Sequence, residues 1–92
     1  MSVYQINYDL RNKRNYQVLY DKLESYRTWC KPLESCYLIC SDLDVFPILN
    51  DLKSAIDKDD GILIAKLTGT AGWEGLSDEV SQWIKHHLPK HC

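Results

Sequence analysis

No stretch of this 92-residue chain approaches the ~20 consecutive apolar residues that a membrane span needs. The N-terminus also lacks a charged-then-apolar signal pattern, so the cytoplasm is the expected location and a membrane is not an expected partner. Cysteine lacks a pattern. Cys30, Cys36, Cys40 and Cys92 form no CxxC pair and no regular framework, which argues against the common zinc and redox spacings and predicts thiols. Positive charge is not in excess. Eleven Lys and Arg stand against 13 Asp and Glu, for a net charge of -2, which does not indicate a strongly basic nucleic-acid binder. There is no internal repeat and no low-complexity segment. What remains is an ordinary globular composition, 45% hydrophobic and 26% charged, of a size for one domain. So short a chain buries only a little over ~60% of the surface its unfolded form exposes, and dimerisation is a natural supplement.

Hydrophobic periodicity supplies the elements. Val3 to Leu10 reads as a strand, with Tyr4, Ile6 and Tyr8 on one face and Gln5, Asn7 and Asp9 on the other. The turn Arg11-Asn12-Lys13-Arg14 follows. Asn15 is a candidate N-cap for a helix whose stripe is Tyr16, Leu19, Tyr20 and Leu23. Thr28 to Cys30 starts a second strand that Pro32 is expected to stop, and Ser35 to Cys40 is a third. Lys31 to Glu34 makes the pair a hairpin. Ser41, Asp42 and Asp44 are N-cap candidates for a helix carrying Val45, Ile48, Leu49, Leu52 and Ile56, with Pro47 tolerated in its first turn. Asp57 to Gly61 turns into a fourth strand, Ile62 to Leu67, apolar on both faces. Thr68 to Gly75 is a loop, and Ser77 caps a last helix through Val80, Trp83, Ile84 and His87, stopped by Pro89.

The order βαββαβ with a terminal helix predicts an α+β, ferredoxin-like fold: a four-stranded antiparallel sheet with both crossover helices on one face. Residues 1–72 form this domain and 73–92 a C-terminal helical extension. Strands three and four, apolar on both sides, require something over the second sheet face. Either a second copy of the chain or the terminal helix with Trp83 and Ile84 would serve.

Tyr8-Asp9 closing the first strand, the Tyr16–Leu23 helix, Ser35 entering the third strand and Asp60 before an apolar fourth strand together resemble the CRISPR-associated protein Cas-two. The superfamily also includes virulence-associated protein D, a toxin-like ribonuclease. Ala71-Gly72-Trp73 after the fourth strand is most similar to small stand-alone members, and the resemblance spans roughly residues 3 to 73. It implies a homodimer and, in some members, metal-dependent cleavage of RNA or DNA. The strand-end aspartate then comes once from each subunit to a shared metal, and Asp9 is the matching position. Magnesium, or manganese, is the implied cofactor, because hard oxygen ligands suit an ion that keeps several waters. Some members instead serve as non-catalytic scaffolds or nucleic-acid binders. The chain departs from the CRISPR proteins in three places. Arg14 precedes Asn15-Tyr16 rather than a second arginine, Ile39-Cys40-Ser41 replaces an aromatic-acidic strand end, and a helix stands where they swap a fifth strand.

Asp9 is therefore the candidate catalytic and metal-binding residue, against the alternative of a strand-end carboxylate bonding turn amides. Arg11, Lys13, Arg14 and Ser35 are the candidate nucleic-acid contacts, against a solvated turn and a structural hydroxyl. His86, His87, His91 and Cys92 read as a frayed tail rather than a zinc site, since Pro89 interrupts the spacing. Trp29, Trp73 and Trp83 read as core, hinge and dimer contacts rather than base-stacking platforms.

Overall fold

Alternation along the first strand, Ser2–Asp9 (β1), decides the layering. Tyr4, Ile6 and Tyr8 are buried on one side and Val3 on the other. In the computed structural model, which describes residues 1–88, there follow α1 (Gln17–Glu24), β2 (Thr28–Leu33), β3 (Cys36–Ser41), α2 (Val45–Lys53), β4 (Gly61–Lys66) and α3 (Asp78–His87). The strands lie in the order β2-β3-β1-β4. Every adjacent pair is antiparallel. This is the expected ferredoxin-like arrangement, with the N-terminal strand in the interior of the sheet.

Two apolar layers follow from the two faces of β1. On the first face, Tyr4, Ile6, Tyr8, Tyr37 and Ile39 pack against Leu19 and Leu23 of α1 and Ile48 and Leu52 of α2. The polar ends of the tyrosines find partners at the rim. Tyr37 donates to Glu24 at 2.8 Å and Tyr4 to the Leu43 carbonyl at 2.7 Å, as buried hydroxyls require. On the second face, Val3, Cys30, Leu38 and Cys40 pack under Ile84 and Leu88. Ser77 caps α3 by accepting from the Val80 amide at 3.2 Å. Trp83 pins α3 to β2 through Thr28 at 2.9 Å, and Trp73 ties the preceding loop to Ser81 at 3.0 Å. The cover of the second face thus comes from α3 of the same chain.

That cover is partial. Leu33 is opposite Cys36, Cys36 opposite Asn7, and Asn7 opposite Leu63, so one transverse row crosses all four strands on the α3 side. The packed residues of α3 lie over the rows nearer Val3 and leave the ends of this one open. Leu33 is 58% exposed and Leu63 66%. Within one chain, therefore, α3 does not cover β4 at Leu63.

Three further readings change. Pro32 does not stop β2; it lies inside it, on the sheet edge, where the register with β3 shifts between Cys30 and Leu33, and an edge position needs no N–H. Cys30 and Cys36 are free thiols, but Cys40 is disulfide-bonded. His86 and His87 are not frayed but helical, with His87 stacked on Trp83 at 4.3 Å between ring centroids. His91 and Cys92 lie outside the described residues.

Candidate functional site

Asp9 is the last residue of β1, on the same sheet face as Asn7 and directly opposite Gly61, the first residue of β4. Its side chain is 71% exposed, and its partner is Arg11, whose Nε lies 3.2 Å from a carboxylate oxygen. Neither the turn amides nor α3 engage it among the described residues. The carboxylate ends the strand open to solvent.

The basic turn after β1 meets an acidic one after α2, and the two interlock. The Arg11 amide donates to Asp60 Oδ1 at 2.8 Å, and its guanidinium donates to the Asp59 carbonyl at 2.7 Å. The Asn12 amide group bridges Asp57 and Asp59, each at 2.8 Å. Arg14 pairs with Asp57 at 2.9 Å, reaches the Ala55 carbonyl at 3.2 Å, and lies over the Tyr16 ring at 4.5 Å. Arg11 and Arg14 are thus held by this chain's own acids and carbonyls. Lys13 is exposed and has no ion pair among the described residues. Ser35 is exposed in the β2–β3 turn, and its carbonyl accepts from the Tyr8 amide at 3.1 Å. That bond brings Ser35 to the same end of the sheet as Asp9. Arg11, Ser35 and Asp9 gather there, while Arg14 turns away toward α2.

Asp60 organises the junction. One oxygen accepts from the Arg11 amide and, at 3.0 Å, from the Tyr16 hydroxyl; the other accepts from the Asp57 amide at 2.8 Å. Partial burial alone would raise its pKa. The Arg11 and Asp57 amides, the Tyr16 hydroxyl and the charge of Arg14 outweigh that and hold it below the ordinary 3.8, because each favours the ionised form. Sequence reasoning placed Asp57 to Asp60 at a helix end and missed the clasp. The available signal was charge complementarity between this run and Arg11 to Arg14.

No group of three or more His, Cys, Asp or Glu that could hold a metal occurs among the described residues. One chain offers Asp9 as a single hard oxygen ligand. The free thiols are poor nucleophiles. Burial, and secondarily the neighbouring Cys36, push Cys30 up to about 12, and Cys36 is raised chiefly by burial, so both stay protonated at neutral pH.

One hollow contains Asp9, and a second shares Gly61 and Ile62 with it. The first, shallow and of about 270 Å³, has Asn7, Asp9, Gly61 and Leu63 on its walls. The second, a larger cleft of about 560 Å³, lies between α2 and the start of β4. Comparison with protein families, curated proteins and solved structures finds no match.

Proposed function

We propose that the chain is a homodimeric, metal-dependent endonuclease or toxin-like endoribonuclease of the Cas-two-like superfamily, centred on Asp9. The observation that carries this reading is the open Asp9 carboxylate at the end of an interior strand, held among the described residues by one guanidinium and by no turn amide. A carboxylate kept only to cap a turn would be bonded to backbone N–H groups, as Asp60 is.

Magnesium or manganese fits this donor set in a limited way. Magnesium keeps several waters and takes one or two protein carboxylates, so Asp9 from each of two subunits would be enough, where one chain alone is poor. When bound, such an ion polarises a phosphate oxygen and makes water a stronger nucleophile. The chain's own parts do the rest. Asp9 binds, Asn7 lies two positions back on the same face, and Arg11 can exchange its carboxylate partner for a phosphate oxygen and offset developing charge. The row of Leu33 and Leu63 supports the dimer, since it leaves two large apolar side chains exposed on the face that carries Asp9.

The test is cleavage of single-stranded RNA, single-stranded DNA and duplex DNA, with magnesium, manganese or chelator. Metal-dependent cleavage that falls by at least about 100-fold in Asp9→Asn is the expected outcome, the size typical for loss of a positioned catalytic group. A non-catalytic dimeric scaffold or nucleic-acid binder is the second reading. It is favoured by the clasp that occupies Arg11 and Arg14, and it holds if the wild type is inactive in every metal or the variant cuts equally well.

A further inference from the structure

Arg14 is engaged by Asp57 and Arg11 already has partners in Asp9 and Asp59, so further cations able to meet a polyanion near Asp9 are worth seeking beyond this turn. The side chains of Lys53, in the last turn of α2, and Lys58, in the acidic turn, are exposed and make no ion pair or hydrogen bond among the described residues. Both stand on the wall of the cleft between α2 and β4. Leu49, Ile56 and Ile62 make its apolar lining. Asp57 and Asp60 line it as well, but Asp57 is taken up by Arg14 and Asn12 and Asp60 by two backbone amides and the Tyr16 hydroxyl. At about 560 Å³ it falls within the ~300–1,000 Å³ range that holds a small organic ligand. An apolar lining beside two unpartnered ammonium groups, with both neighbouring carboxylates already engaged, suits a ligand that is planar and apolar at one end and anionic at the other.

The cleft also connects with Asp9. Gly61 and Ile62 line both it and the shallow hollow that contains Asp9. At Gly61 there is no side chain to separate them. A Cβ there would lie 3.1 Å from the Arg11 guanidinium and 3.8 Å from Asp9 Cβ, so any larger residue would raise a ridge between the two.

We propose that this cleft seats a nucleotide of a single-stranded nucleic acid. Its base or sugar lies on Leu49, Ile56 and Ile62, its phosphates meet Lys53 and Lys58, and the strand passes over Gly61 to Asp9. This rests on the nucleic-acid reading of Asp9 and adds where the substrate is held and that it is single-stranded. A duplex presents its bases inward and could not lay one on this lining.

The test is fluorescence anisotropy in chelator, with labelled uridine and thymidine oligomers of about ten nucleotides and a duplex of the same length. The proteins are the wild type, the double variant carrying Lys53→Gln and Lys58→Gln, and Lys31→Gln as a control on the far edge strand. Expected is single-strand binding about tenfold weaker in the double variant, with the slope of log K against log salt reduced by about 1.4. Lys31→Gln should bind as the wild type does, and the duplex should bind more weakly than either single strand. The uridine and thymidine arms decide between RNA and DNA. The cleft assignment is overturned if the wild type binds no oligomer, if the duplex binds best, or if the double variant matches the wild type. Because no metal is present, the outcome is separate from catalysis. Lysine-dependent binding without cleavage keeps the cleft and removes the nuclease, whereas cleavage unaffected by the two lysine changes does the reverse.

Discussion

At the scale of single residues, two carboxylates close together in space have opposite surroundings. Asp9 is open and meets one guanidinium; Asp60 has both oxygens taken by amides and a hydroxyl. The folded state therefore favours ionised Asp60, whose pKa lies below the ordinary 3.8. A depressed carboxylate stabilises the fold fully above its unfolded pKa, and the contribution disappears as pH falls through the folded value. The urea midpoint of the wild type should thus drop between about pH 6 and about pH 3, and Asp60→Asn should show a smaller drop from a lower start. Identical pH dependence in the two proteins would mean that the clasp does not select the charged form. The Asp9→Asn variant, at a carboxylate bonded only to Arg11 among the described residues, should by contrast fold normally and change activity alone.

Among the elements, α3 supplies part of what the sequence left open between two candidates: it covers the second sheet face over Val3, Leu38 and Cys40. Ile84 is 5% exposed among Val3, Leu38 and Cys40. Ile84→Ala leaves a cavity there and should cost about 2–4 kcal/mol in urea unfolding. Val18→Ala, on the solvent side of α1, should stay within about 0.5 kcal/mol. Equal losses at the two positions would show that α3 is not a packed layer. The edges of the sheet differ too. β2 carries Pro32 and a register shift, both of which discourage strand addition, while β4 runs in unbroken register with β1.

For the whole molecule, the exposed Leu33–Leu63 row bears on assembly. A second copy placing that row against its own counterpart would bury the exposed leucines on the face of Asp9. Leu63→Glu should then convert a dimer to a monomer in sedimentation while shifting stability by no more than about 0.5 kcal/mol, because Leu63 has little packing of its own to lose. A dimer unaffected by Leu63→Glu would assemble through another surface.

The alternation of Tyr4, Ile6 and Tyr8, the stripes of the first two helices, and Ser77 before the third were all legible in the sequence, because period and cap are local properties of a chain. They determined the order of elements and, through the handedness of crossovers, the sheet order β2-β3-β1-β4. Asp9 as the acidic end of β1 was equally legible. Pro32 was misread because propensity at one residue does not tell whether a strand lies at an edge. Tertiary structure alone decided that Arg11 and Arg14 belong to Asp57, Asp59 and Ala55, residues more than forty positions away. It also decided that α3 folds back over its own sheet yet leaves Leu63 bare. Charge pairing and face coverage depend on which distant surfaces the fold brings together, and no local pattern encodes that distance.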